Sequence, residues 1–577
     1  MLARHLIVLL AVLSSTIVHA QRSIEELLPA STAAVLKVND VRQFIEDLLE
    51  HPLANLAKDA GAYDESITDE QQAQLDAVKT QIKTTLGLEW NEAIDELTSG
   101  GVIVAFDAAT EGAIVIVQGE NDTIDKVFEI LLTNLKPLAA LGGNPVNEGI
   151  YRDTITGYQI ADIRFAVHEG TFVITNSRDL GRTTLNSLLG DLPSESLATN
   201  DAYKQAIDST DPNEHTLWFW ADSKLTDKDG GIAQLDHSMK DNMLAELLFG
   251  GITNQLRNSE YLTATLDFSK EQLRLALRTA HNHQWVPEKR YYYFGEDGKG
   301  TAPALLQPEG TLASLSMYRE LAPWYLLGPD LYSAQVNEGI ARADSQLSNF
   351  LGGKDFGEDI LGALEPGFQL VVADHEFKDG EPVPGIKVPG FALVSKLQDP
   401  EVLKPELRRQ FISFVGFLNL ISGMEGGNQL DVDIQNNNGN ILLTTAFLKP
   451  QPNQPVSIHY NFTPTLILTD DLFILSSTKL LAETLRDEKP LKRRNASNHT
   501  INTQFQLFGS TIQNVLEKNR GILITQNMLD KGASREQAVA EVDLTLDATE
   551  LLQLLELKLE HTDSELTFSI ELSFKVK

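Results

Sequence analysis

The 577-residue chain contains no cysteine. That absence excludes disulfide bonds, zinc–thiolate and iron–sulfur sites, and cysteine nucleophiles. Basic residues are also few, with 47 Lys and Arg against 81 Asp and Glu, and the formal net charge is −34. Nucleic-acid binding needs a basic surface, so this charge argues against it. Hydrophobic residues make up 42% of the chain, as in ordinary globular proteins, and the length predicts more than one domain.

The first twenty residues have the pattern of a secretory signal peptide. Arg4 supplies a positive start, residues 6–13 are an apolar run, and Val18 and Ala20 are suited to cleavage after Ala20. A membrane anchor is the alternative, but the apolar stretch is shorter than the about 20 residues that cross a bilayer. No later segment of the sequence is long and apolar enough to do so. We therefore expect an exported protein, periplasmic or extracellular, without a transmembrane segment once residues 1–20 are removed.

The rest of the sequence repeats one plan twice. The matching apolar blocks are 33–38 with 312–316, 102–107 with 368–374, 113–118 with 391–396, 172–178 with 473–479, and 261–279 with 555–576. Several blocks alternate apolar and polar residues, which indicates antiparallel strands with one buried face. A run from 400 to 421 has apolar residues at spacings of three and four, which indicates an amphipathic helix.

These patterns predict an α+β protein with two similar halves, each an antiparallel-rich sheet with a helix layer on one face. We predict a first repeat over residues 21–280, an ordered linker over 281–303 and a second repeat over 304–577. The linker is rich in Gly and Pro but carries aromatic residues, which we expect to pack between the halves.

The duplicated halves, with the Leu27-Leu28-Pro29 opening that leads to Thr32 and the strand–hydroxyl–helix corners, resemble a known family. It is a family of exported bacterial proteins catalogued as a domain of unknown function. The resemblance covers nearly all of the mature chain. It implies an exported, repeated α+β protein, and it implies no activity, substrate or catalytic residue.

One corner carries a motif known from catalysis. Ser476 and Lys479 match the Ser-x-x-Lys of penicillin-binding proteins and serine β-lactamases, in which the serine attacks and the lysine tunes proton transfer. The chain contains neither Lys-Thr-Gly nor Ser-Asp-Asn, and the matching corner 175–178 of the first half lacks the Ser/Lys pair. The pattern therefore favours a helix cap, with catalysis as the alternative.

Aromatic and acidic residues supply the remaining candidates. Trp218 and Trp220 on a strand, with Trp285 and Tyr292 in the linker, could form a surface that stacks on sugars or lipids, although aromatics in such a strand usually belong to the core. Asp227 and Asp229 are the metal candidates, but the later ligands of a calcium loop are missing. We therefore predict no metal and no cofactor.

The signal peptide, the duplicated α+β halves and the lack of a recognisable reactive motif together predict a non-catalytic binding or structural protein of the bacterial envelope. We expect it to hold an apolar ligand between its halves. The alternatives are a serine hydrolase that uses Ser476 and Lys479, and an acidic protein that docks a basic envelope partner.

Overall fold

The structure, a computed structural model, describes residues 23–59, 69–191, 195–226, 230–351, 353–377, 380–424, 427–437, 439–448, 456–490 and 500–576. The expected signal peptide lies outside these residues. They form two compact units. The first unit contains the described residues up to 231 together with 259–280, and the second contains 232–258 together with 281–575.

Ten strands of the described residues belong to the first unit. They are β1 Thr32–Val38, β2 Gly101–Asp107, β3 Gly112–Gln118, β4 Asn147–Tyr151, β5 Ile155–Ile160, β6 Ile163–His168, β7 Thr171–Thr175, β8 Leu217–Asp222, β9 Tyr261–Phe268 and β10 Gln272–Ala280. They pair in the order β4-β5-β6-β7-β3-β2-β1-β8-β9-β10, and every pair is antiparallel.

Ten further strands belong to the second unit. They are β11 Thr311–Met317, β12 Phe368–Ala373, β13 Gly390–Ser395, β14 Leu430–Asn437, β15 Asn440–Phe447, β16 Thr465–Leu468, β17 Phe473–Ser476, β18 Thr500–Phe508, β19 Leu552–His561 and β20 Glu565–Phe574. Their order is β14-β15-β16-β17-β13-β12-β11-β18-β19-β20, again antiparallel throughout.

The two strand orders are the same, strand for strand. Even an irregularity recurs, because the register shifts between Thr32 and Ala34 in β1 and between Thr311 and Ala313 in β11. In both places the threonine hydroxyl donates to a proline carbonyl three residues earlier. The expected α+β class with two similar antiparallel parts is confirmed.

Helices connect the strands in both units. Those of the first unit are Ile24–Leu27, Val41–Glu50, Pro52–Asp59, Asp69–Leu86, Trp90–Leu97, Asn121–Leu141, Arg178–Leu188, Asp201–Ser209 and Ser223–Thr226. The rest are Gly231–Met239, Met243–Asn258, Tyr291–Phe294, Leu321–Leu326, Gly328–Leu331, Ala334–Phe350, Pro400–Met424, Lys479–Asp487, Gly509–Lys518, Arg520–Lys531 and Arg535–Leu551. The 3-10 helices are Leu197–Thr199, Pro212–Glu214, His283–Trp285, Glu288–Arg290, Leu361–Ala363 and Ile458–Asn461, and Phe356–Ile360 is a π-helix.

The central strands of each sheet carry helices on both faces, instead of the helix layer expected on one face. In the first unit, Val115 and Ile174 belong to a core with the long helix Asn121–Leu141, whereas Ile116 and Val173, one residue along, belong to a core with the short helix Arg178–Leu188. This is the alternation expected of a strand whose successive side chains point to opposite faces. In the second unit the long helix Pro400–Met424 packs on one face of the sheet, and the short helix Lys479–Asp487 packs on the other.

The compact units divide the chain differently from the expected boundaries. Residues 232–258 and 281–303 both belong to the second unit, where the fully buried Glu246 carboxylate pairs with Arg290, at 2.6 Å from its Nε. Tyr293 also donates from its hydroxyl to the Leu248 carbonyl, at 2.6 Å. A buried charge needs a buried partner, so this pair fixes both segments in one unit.

Candidate functional site

An apolar pocket with a volume of about 690 Å³ lies within the second unit, between the sheet and the helix Pro400–Met424. Side chains of the helix form one wall, and strands β12, β13 and β17 form the other. The principal lining residues are Leu370, Phe391, Leu393, Phe414, Leu418, Ile421, Phe447, Phe462 and Leu475. This volume falls in the range of about 300–1,000 Å³ that is typical of small-molecule sites.

The strand register explains the sheet wall of the pocket. Leu370 pairs with Leu393, and Leu393 pairs with Leu475, so the three side chains point to the same face in one row. Phe391 lies on that face as well, two residues from Leu393. Leu370 is 41% exposed, Phe391 54% and Leu475 38%, although they lie on a sheet face that carries a helix. The helix therefore leaves this part of the sheet uncovered.

Two neighbouring sides of the long helix pack differently. Leu407, Phe411 and Val415 are buried in a core with strands β15 and β16. Phe414 and Leu418 line the pocket and are only partly buried. One side of the helix thus fills the core, and the neighbouring side faces the open volume.

Polar residues in the pocket lining are paired within the protein. Asn419 holds the start of β14 by two hydrogen bonds, donating to the Leu430 carbonyl at 2.8 Å and accepting from its N–H at 2.7 Å. Ser422 donates to the Asn428 carbonyl at 2.8 Å. Among the described lining residues His459 is the single ionisable side chain, and it is exposed. The pocket is therefore suited to an uncharged, apolar ligand, because charged groups would find no buried partner in it.

Ser476 and Lys479 lie next to this pocket in the corner between β17 and the helix Lys479–Asp487. The Ser476 side chain is 2% exposed, and its hydroxyl contacts backbone groups: the Thr478 carbonyl at 2.9 Å, the Phe391 carbonyl at 3.4 Å and the Thr478 N–H at 3.2 Å. The Lys479 ammonium lies 4.0 Å from the Glu483 carboxylate.

The equivalent corner of the first unit makes the same hydrogen bonds. There Thr175 donates to the Ala113 carbonyl at 2.7 Å and accepts from the Ser177 N–H at 3.0 Å. Each helix is capped by the next hydroxyl residue, Ser177 or Thr478, which accepts from the N–H three residues on at 3.3 Å. This geometry is that of helix capping, and none of the contacts of Ser476 supplies a base to activate its hydroxyl.

The aromatic candidates lie in the cores of their own units. Trp218 and Trp220 are fully buried and meet the ring of Tyr203 edge-on, at centroid distances of 5.7 and 5.1 Å. Tyr292 is 1% exposed, and its hydroxyl lies 3.0 Å from the Glu246 carbonyl. Trp285 is half-buried in the second unit. The structure does not bring the four together on one surface.

The metal candidates Asp227 and Asp229 lie outside the described residues. Within the residues that the structure describes, no group of three or more His, Asp or Glu side chains is placed to hold a metal ion. Across the same residues, no helix combines the length and the apolar character needed to cross a bilayer.

Sequence reasoning did not identify the pocket. It predicts the strands and the amphipathic helix that form the pocket, but it does not distinguish the apolar side chains of that helix that fill the core from those that line the pocket. One signal of the difference was present in the sequence. The block 391–396 begins with the large side chain of Phe391, where the matching block 113–118 begins with Ala113.

Comparison with known proteins adds little. No family model matches the chain, and no curated protein matches it. Among solved structures, crystal form I of TP0453 is 10% identical with a TM-score of 0.24 over 46% of this chain and 80% of that chain. Crystal form III gives 9% and 0.23 over 45% and 80%, and crystal form IV gives 12% and 0.24 over 44% and 79%. At these scores the likeness supports no conclusion about function.

Proposed function

We propose that this is an exported envelope protein that binds a neutral, apolar ligand, such as a hydrocarbon chain, in the pocket of the second unit. The observation that supports the proposal is the exposure of Leu370, Phe391 and Leu475 on the sheet face beneath the long helix, which a ligand would cover. Burying apolar surface contributes about 25 cal/mol per Å², so an occupant of this wall would be held without any charged contact. The ligand site predicted between the halves is replaced here by one within a single unit. Export rests on the N-terminal sequence pattern and on the family resemblance.

The test is titration of the full mature chain with the neutral fluorescent probe N-phenyl-1-naphthylamine. We expect saturable binding with one probe per chain. Leu475→Trp enlarges a side chain on the pocket wall and should weaken binding about tenfold or more, since a ring placed in the pocket excludes the probe.

Leu480→Trp is the matched control. Leu480 is 39% exposed, against 38% for Leu475, and lies outside the pocket lining on the helix Lys479–Asp487. Its variant should bind the probe as the unmodified chain does. If Leu475→Trp fails to fold, Ile421→Trp enlarges the opposite wall instead. Absence of saturable binding, or equal binding by the Leu475 and Leu480 variants, would refute the proposal.

The docking of a basic partner stays an alternative prediction that is supported by the net charge of −34. Its signature would be capture of a partner that weakens steeply as salt is raised, since screening removes long-range attraction. Probe binding to the pocket should not respond to salt in this way, because it involves no ion pair.

A further inference from the structure

A second cavity, with a volume of about 330 Å³, lies in the first unit and has the opposite character. The hairpin β4–β5, strand β6 and the helix Arg178–Leu188 enclose it. Three arginines line it, Arg164, Arg178 and Arg182, in a chain whose acidic residues outnumber its basic ones by 81 to 47. Such a concentration of positive charge in a concavity is unexpected on this protein.

The floor of this cavity consists of very small residues. Gly149 pairs with Gly157, and Gly157 with Ala166, so the three small residues form one row. The row continues to Val173, which packs against the helix Arg178–Leu188. A Cβ atom added at Gly149 would meet no atom within 4 Å, and one added at Gly157 would meet only the Gly149 carbonyl oxygen, at 3.9 Å. The space above the floor is therefore open, and the small residues create it.

Arg164 is half-buried and is held by backbone groups, whereas Arg178 and Arg182 are exposed, and none of the three is paired with a carboxylate in the described residues. Arg164 donates from one guanidinium nitrogen to the Asp162 carbonyl at 2.9 Å and to the Asn176 carbonyl at 3.3 Å. Within the described part of the chain, Arg178 and Arg182 have no carboxylate within 4.0 Å. Among the described lining residues Glu148 is the one carboxylate, and it lies 3.9 Å from Lys136. Like charges four residues apart on a helix repel each other, although solvent weakens this repulsion because both side chains are exposed, and a bound anion would relieve it.

The second unit shows what the same position looks like without a cavity. The strand pairing places Leu442 and Ile467 where the first unit has Gly157 and Ala166. Both side chains pack into the core with the helix Lys479–Asp487.

The arginines are replaced as well. Thr465 stands at the position of Arg164, Lys479 at that of Arg178 and Glu483 at that of Arg182. Lys479 and Glu483 then form an ion pair of their own. The fold therefore does not require the cavity or its three positive charges, and both are specific to the first unit.

We propose that this cavity binds a small ligand through an oxyanion group, phosphoryl or carboxylate, held by the guanidinium groups of Arg164, Arg178 and Arg182. A guanidinium presents a planar set of donors that matches the two oxygens of such a group. The first turn of the helix Arg178–Leu188 adds the partial positive charge of a helix N-terminus on the same side. The site is independent of the apolar pocket, because it lies in the other unit and has the opposite polarity.

The experiment is calorimetric titration of the full mature chain at low ionic strength with two probes, pyrophosphate and citrate. Binding of pyrophosphate alone would identify a phosphoryl site, and binding of citrate alone a carboxylate site, while binding of both supports a general oxyanion site. Arg178→Gln combined with Arg182→Gln should weaken binding by about tenfold or more for each arginine removed, as expected for charge-assisted hydrogen bonds.

Two further variants separate the cavity from general charge. Gly157→Leu introduces the residue type of the second unit, keeps all three arginines and should abolish binding by filling the space. Arg274→Gln removes an exposed arginine of the first unit outside the cavity and should leave binding unchanged.

The proposal is overturned if neither probe binds, or if the double arginine variant or Gly157→Leu binds as tightly as the Arg274→Gln control. Thermal unfolding of each variant establishes that it is folded. Should Gly157→Leu not fold, Ala166→Ile fills the same floor with the residue type of the second unit. N-Phenyl-1-naphthylamine binding, measured on the same samples, reports separately on the apolar pocket.

Discussion

The two units share one strand order, yet each is open where the other is filled. On the long-helix face of the first unit, Phe128 packs with Tyr158 and Phe165 at ring distances of 5.4 and 6.0 Å, and Ile174 is 8% exposed. At the position of Ile174 the second unit has Leu475, which is 38% exposed at the edge of the apolar pocket.

On the short-helix face the relation is reversed. The second unit fills the space with Leu442 and Ile467, and the first leaves it open above Gly157 and Ala166. The difference shows that neither cavity is a consequence of the topology, because the same topology accommodates a filled version of each. Side-chain size at a few paired positions creates them, and each unit is a natural control for the other.

The largest expected effect compares the two long-helix faces. Phe128 is 9% exposed inside an aromatic cluster, so Phe128→Ala should leave a cavity and destabilise the first unit by about 3–5 kcal/mol. Phe414 borders an existing void in the second unit, so Phe414→Ala should cost less, about 1–2 kcal/mol. Urea unfolding, followed by circular dichroism, measures both. Equal losses would show that the apolar pocket is closed in solution.

The sequence predicted the repeat well because the repeat is carried by patterns that a linear chain displays. Apolar blocks predict strands β1, β2, β3 and β7 and their counterparts, and the corner that contains Ser476 and Lys479 is predicted as a helix cap. These features depend on local alternation and on residues within four positions of each other.

The two cavities could not be predicted in the same way. Each depends on residues that become neighbours only through strand register, such as Gly149, Gly157 and Ala166, which come from three different strands. The position of residues 232–258 in the second unit was missed for a similar reason, since the Glu246–Arg290 pair joins residues far apart in sequence. Neither residue is unusual by itself, and no local pattern marks either one as buried.

A smaller effect on stability is expected when the pH is lowered. It arises in the second unit, which contains a pair of buried histidines. His281 and His561 are 5% and 4% exposed, with ring centroids 5.3 Å apart, and both rings pack against Phe294. Burial, together with the neighbouring His561, lowers the pKa of His281 to about 4, and burial lowers that of His561 as well.

Stability falls as the pH is lowered because the unfolded chain takes up protons before the folded chain does. The unfolded chain protonates these histidines as the pH falls through about 6.5, whereas the folded chain protonates His281 only near 4. The stability that they contribute is therefore complete above pH 6.5 and is lost between 6.5 and 4, by roughly 3 kcal/mol for His281. His281→Phe keeps a ring in the core and should reduce the fall in unfolding midpoint between pH 7 and pH 4.5. An unchanged fall in this variant would assign the acid sensitivity elsewhere.

The smallest expected effect on stability comes from a substitution that copies a residue of the second unit into the first. Arg182→Glu places in the first unit the charge that Glu483 has in the second, and gives Arg178 a partner four residues away, as Lys479 has. Exposed pairs of this kind contribute about 0.3–0.5 kcal/mol, and the substitution also removes a repulsion between two arginines. The variant should therefore unfold at the same urea concentration as the unmodified chain or slightly higher, while its affinity for pyrophosphate and citrate falls. A variant that loses stability instead would show that Arg182 supports the fold, and the excess positive charge of the cavity would then have a structural explanation.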